Sequence, residues 1–155
     1  MTTHFSQSLN SGLDSPFGSL LGLANGGYQL STSAIANTPT DGTTISYDMA
    51  DLVIALSGGG ITTGSGAPSV TVWILPAIDG SNYPNPPGAT AQAAPVGLSY
   101  TFQQVPGVAT TLIACPNIPI PPYNFKVMIQ NNLGVALPSS GSAVCALQRK
   151  TVANW

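Results

Sequence analysis

Tyr123-Asn124-Phe125-Lys126-Val127-Met128-Ile129-Gln130 is the stretch that decides how this chain folds. Tyr123, Phe125, Val127 and Ile129 alternate with Asn124, Lys126, Met128 and Gln130. A period of two marks a strand buried on one face, because successive side chains of an extended chain point to opposite sides. Lys126 then belongs to the solvent side. Asn131-Asn132-Leu133-Gly134 reads as the turn that follows, since Asn bonds its own main chain and tolerates left-handed backbone.

The same grammar extends in both directions. Tyr28–Ala36, Thr43–Tyr47, Asp51–Ser57, Val70–Leu75, Val96–Gln103, Thr110–Cys115 and Ala143–Gln148 are short runs rich in Val, Ile, Thr and aromatics. Turn-forming clusters separate them: Ser57-Gly58-Gly59-Gly60, Gly64-Ser65-Gly66, Asp79-Gly80-Ser81-Asn82 and Pro116-Asn117-Ile118-Pro119-Ile120-Pro121-Pro122. Roughly eight short strands with such spacers predict an all-β fold, an antiparallel β-sandwich of jelly-roll or immunoglobulin-like type. Val70–Leu75 is apolar on both faces, Trp73 included, which predicts a central strand or one covered by a partner. Residues 1–27 lack periodicity and are dominated by Ser, Asn and Gly, with Ser19-Leu20-Leu21-Gly22-Leu23 as the exception. They read as an extended N-terminal arm, residues 28–148 as the sandwich and residues 149–155 as a C-terminal tail.

Composition narrows the function. The 155 residues carry only three basic and five acidic side chains, 5 % charged against about 25 % in an average soluble domain. Every acid is an aspartate. Affinity for nucleic acid scales with the Lys and Arg that displace counterions, and Lys126, Arg149 and Lys150 are all there are. A nucleic-acid partner is therefore excluded. No apolar run approaches a membrane span and no basic, apolar leader opens the chain, so neither a membrane partner nor a secretory signal is expected. Cys115 and Cys145 could pair if their strands are neighbours, but without a secretory signal the favoured reading is two buried thiols acting as small hydrophobes.

The residues offer little to catalysis. His4 is the only histidine and lies in the arm, out of reach of a nucleophile–base arrangement. Asp48 and Asp51 are three apart, a spacing that sends extended side chains to opposite faces, which disfavours paired carboxylates or a calcium site. Ser57–Gly66 is glycine-rich but lacks the Lys and the following helix of a phosphate loop. We expect no enzyme, no catalytic residue, no metal and no cofactor. Low charge instead fits a surface buried against protein, since interface cores are depleted in Lys, Glu and Asp.

Val70-Thr71-Val72-Trp73-Ile74-Leu75-Pro76-Ala77-Ile78-Asp79-Gly80-Ser81-Asn82-Tyr83-Pro84 resembles a strand-and-turn segment of small virion proteins of tailed bacteriophages. Tyr47–Leu52 before it, and Phe125–Gly134 with Pro138-Ser139-Ser140-Gly141 after it, look like the flanking strands of that group. Within it the chain is most similar to capsid decoration (cement) proteins with a jelly-roll core and an extending arm. The resemblance implies a structural virion protein, assembled in the host cytoplasm and located on the capsid surface. Its partner would be the outer face of the major capsid protein, where it would bridge capsomers as a homo-oligomer, dimer or trimer. The arm and tail lie outside the resemblance. Their composition makes Phe5, Leu9, Leu13, Phe17, Leu20, Leu21, Leu23 and Trp155 the candidate interface residues. The alternative is a tail or fibre module binding host-surface carbohydrate through Trp73, Tyr83, Tyr100 and Tyr123.

Overall fold

A computed structural model describes residues 5–9, 13–37, 47–57, 60–77, 79, 81, 83 and 98–154, with backbone only for 5–9 and 151–154. Among the described residues ten strands follow one another: β1 Phe5–Leu9, β2 Tyr28–Leu30, β3 Met49–Ser57, β4 Ile61–Thr62, β5 Ser69–Pro76, β6 Leu98–Gln103, β7 Ala109–Thr110, β8 Leu112–Pro119, β9 Phe125–Asn132 and β10 Ser142–Asn154. Two four-stranded sheets, β1-β10-β3-β8 and β2-β9-β5-β6, are antiparallel throughout; β4 and β7 form a small ribbon. The molecule is all-β and a sandwich, as the alternation predicts.

The two inner faces meet in one core. Leu52, Ile54 and Leu56 of β3, with Ile113 of β8 and Leu147 of β10, belong to the same buried cluster as Val70, Val72 and Ile74 of β5 and Phe125, Val127 and Ile129 of β9. β5 lies between β9 and β6 and is buried along both faces. Trp73, Leu75 and Met128 form a second buried cluster on the opposite face, with Tyr28 and Leu30 packed against it. That corrects the expected solvent side of β9 at Met128, which is fully buried. Lys126, on the same face, sits 4.9 Å from the ring of Tyr83.

Three boundaries differ from the sequence reading. Pro116-Asn117-Ile118-Pro119 continues β8 instead of ending it. β8 is an edge strand, where Pro withholds no ladder donor from a neighbour. β9 runs through Asn131 and Asn132. Asn131 is buried, and its side chain bonds the carbonyls of Leu23 and Val135 and accepts from the Leu133 amide. The turn begins after it, where Gly134 has φ 81° and approaches Gly64 so closely that a Cβ would lie 2.8 Å from the Gly64 Cα. The tail is also corrected: residues 149–154 are the last part of β10, and residues 150–154 pair with β1. Thr43–Ser46 of one expected strand, Val96 and Gly97 of another, and His4 lie outside the described residues.

The arm reading is corrected where the segment is described. β1 pairs with the end of β10 from Phe5↔Asn154 to Leu9↔Lys150. Asp14 then bridges Leu147 with bonds of 2.9 and 2.8 Å, and the Leu20 amide reaches the Ala143 carbonyl at 3.1 Å. The segment thus follows the free edge of β10 and closes the side of the sandwich. Phe17 and Leu20 are 3 % and 1 % exposed and belong to the main core. The physical reason is that β10 would otherwise present unpaired amides and carbonyls along that edge.

Cys115 and Cys145 are both buried and free. Their strands flank β3, where Cys115 faces Leu52 and Cys145 faces Ile54. Two strand spacings separate them by about 10 Å, beyond the ~7 Å Cα limit for a disulfide. Burial raises the Cys115 thiol from its ordinary 9.0 to about 12, and burial, then the neighbouring Cys115, raises Cys145 further.

Three outcomes follow. Leu20→Ala should lower unfolding stability by about 3 kcal/mol, read from denaturant midpoints, as for a core Leu and not an arm residue. Deleting residues 1–27 should likewise open the sandwich. In alkali, the unfolded thiols ionise near pH 9 while the native ones stay protonated, so the native state binds more protons and stability falls as pH rises toward 12. Each thiol steepens that fall by up to about 1.4 kcal/mol per pH unit. A Cys115→Ala, Cys145→Ala double variant should show a shallower slope above pH 9; an unchanged slope would refute the assignment.

Candidate functional site

The outer face of the β1-β10-β3-β8 sheet is the least ordinary surface of the molecule. Odd-numbered β3 residues point outward, since the even-numbered Ala50, Leu52, Ile54 and Leu56 are buried. Register places Val144, Ala55 and Leu112 side by side across β10, β3 and β8. The next row is Ala146, Val53 and Ala114. Val144 and Leu112 are 48 % and 56 % exposed. An antiparallel sandwich ordinarily turns polar residues outward, so six contiguous apolar positions on three adjacent strands mark a surface suited to contact.

Polar groups close the patch at both ends. Ser57 pairs with Ser142, their hydroxyls 2.6 Å apart. At the other end stand Gln148 and Asp51, then Lys150. Lys150 Nζ donates to Asp51 Oδ1 and Oδ2 at 2.7 and 2.8 Å and to Asn117 Oδ1 at 2.8 Å. The Asn117 amide donates to Asp51 Oδ1 at 2.7 Å. The geometry depends on an irregularity in the β3–β8 ladder between Ala50 and Leu52, where Pro116 and Asn117 bulge opposite Asp51. Asn117 has φ 57°, the one non-glycine residue in the left-handed region among those described.

The remaining cations are also engaged within the chain. Arg149 pairs with Asp14 through Nε at 2.7 Å and Nη2 at 3.3 Å, donates to the Ala36 carbonyl, and lies over the Tyr47 ring. Asp51 is thus a partner of Lys150, and no convergence with Asp48 is needed to explain it.

The expected interface residues scatter. Leu13 and Leu21 are exposed, Leu23 is half-buried against the core, and Phe17 and Leu20 are inside it. Phe5 and Leu9 belong to β1 with their side chains outside the description, and Trp155 lies outside the described residues. Of the aromatics expected to hold sugar, Trp73 is buried, Tyr100 packs against the core, Tyr83 lies beneath the Lys126 ammonium and Tyr123 is exposed. The six outer-face residues were missed as a site. Their signal was present: Leu52–Leu56 and Ala143–Leu147 are apolar on both faces, the pattern that marked Val70–Leu75 as covered. Comparison with family models, curated proteins and solved structures finds no match.

Proposed function

We propose that this protein is a structural subunit of a virion, a bacteriophage capsid decoration protein that binds the outer shell and stabilises it by bridging capsomers. The observation that carries the reading is the apolar outer face of β10, β3 and β8 on a molecule whose cations are all engaged internally. The strand order supports the jelly-roll form of the resemblance. Leaving out the β4–β7 ribbon, the chain alternates between the two sheets at every connection except the β5–β6 pair, as two interleaved Greek keys do.

Magnitude favours several copies acting together. Three strands by two rows of residues offer about 200 Å², and apolar burial at about 25 cal/mol/Å² is then worth about 5 kcal/mol. Losing translational and rotational freedom costs at least about 4 kcal/mol. A single face therefore binds weakly, and a dimer or trimer gains its hold through effective concentration. The major capsid protein is the partner, and the charges bordering the patch, Asp51 and Lys150, are already paired with each other, which limits the cost of withdrawing them from water.

Ala55→Asp and Leu112→Lys test this reading. Both sites are exposed, so thermal stability should stay within about 0.5 kcal/mol of the parent, while co-sedimentation with purified shells of the encoding virus should fall at least ~10-fold because a charge is buried on docking. Parent protein that fails to sediment with those shells, or variants that sediment as well as the parent, would overturn it.

A further inference from the structure

Lys150, Asp51 and Asn117 form a group that the docking reading does not use. Lys150 is 7 % exposed, and its ammonium touches a carboxylate and a carboxamide at once. With Nζ 2.8 Å from Asn117 Oδ1, the Asn117 Cγ lies within about 4 Å of Nζ, one carbonyl bond length further at most. That is close to the ~3–3.5 Å of a near-attack arrangement. Three neighbouring strands hold the three groups, and the strained backbone of Asn117 aims its side chain at the lysine.

We propose that Lys150 and Asn117 become joined by an intramolecular amide bond, with Asp51 carrying the protons.

The chemistry balances without any co-reactant. Asp51 takes one proton from the Lys150 ammonium, which leaves a neutral amine whose lone pair attacks the Asn117 Cγ. The new N–C bond forms as the carbonyl π pair moves to Oδ1, and the protonated carboxyl of Asp51 supports that oxygen. The second Nζ proton passes through Asp51 to the amide nitrogen of Asn117. The C–N bond of the carboxamide then breaks, the carbonyl re-forms and ammonia departs. Ammonia accepts the last proton from Asp51 and leaves as ammonium, so the cluster loses one unit of positive charge overall. Asn117 is exposed, so the leaving group reaches solvent directly. Dilution of ammonia into bulk solvent makes the exchange of one amide for another one-way.

The bond would tie β10 to β8 across β3 and lock the sheet that carries the apolar face. Its existence does not depend on what that face binds.

Intact mass of the purified full-length chain, measured fully denatured, is the test. We expect a chain one ammonia lighter than its sequence mass, and trypsin should yield the fragment ending at Lys126 joined to the fragment beginning at Lys150. Asn117→Ala and Asp51→Asn should each restore the full mass of the substituted chain. A wild-type chain of full sequence mass would overturn the proposal, as would loss of ammonia without joined fragments. Loss of water with Lys150 joined to Asp51 would overturn it too. Asp51→Asn that still forms the Lys150–Asn117 link would overturn the role given to Asp51. The wild-type measurement stands alone if either variant fails to fold.

Discussion

The antiparallel pairing of β10 with β3, from Ser142↔Ser57 to Lys150↔Met49, is the constraint on which the rest of the molecule depends. A slip of one residue would send Ala143, Cys145 and Leu147 out to solvent and drive Val144 and Ala146 into the core. The register thus fixes the inner and outer faces together. It sets Val144 beside Ala55, and it places Lys150 where its side chain reaches Asp51. β10 also offers its other edge to β1 and to the segment through Leu20, so one strand organises both the sheet and the side of the sandwich.

Scarcity of charge acts through the same strand. Arg149 and Lys150 are successive residues of β10 and point to opposite faces, one toward Asp14 on the N-terminal segment and one toward Asp51 on β3. Ion pairs of this kind, partly withdrawn from water, hold a geometry more than they add stability. Among the described residues that leaves Asp48, Asp79 and Lys126 as the charged groups outside these two pairs, on a surface otherwise made of polar and apolar side chains. Such a surface keeps little long-range repulsion between copies.

Much of the fold was legible. β3, β5 and β9 announced themselves by alternation or by apolar runs between turn residues, and these long pairings bury most of the core. β1 and the segment after it were not legible, because they are held by backbone bonds to β10 and by two buried residues, Phe17 and Leu20, without any period. The prolines of β8 misled for a related reason: an edge strand tolerates them, and edge position is a tertiary fact. Of the site, the individual apolar residues were visible, but their shared exposure was not.

Local chemistry, by itself, determined an all-β chain, part of its turns and its scarcity of charge, because period, turn propensity and charge are properties of neighbouring residues. Which sheet face stays open, and that residues 51, 117 and 150 meet, was decided only by tertiary structure. Strand pairing brings together positions as far apart as Asp51 and Lys150, and no local pattern records which strand will lie beside which.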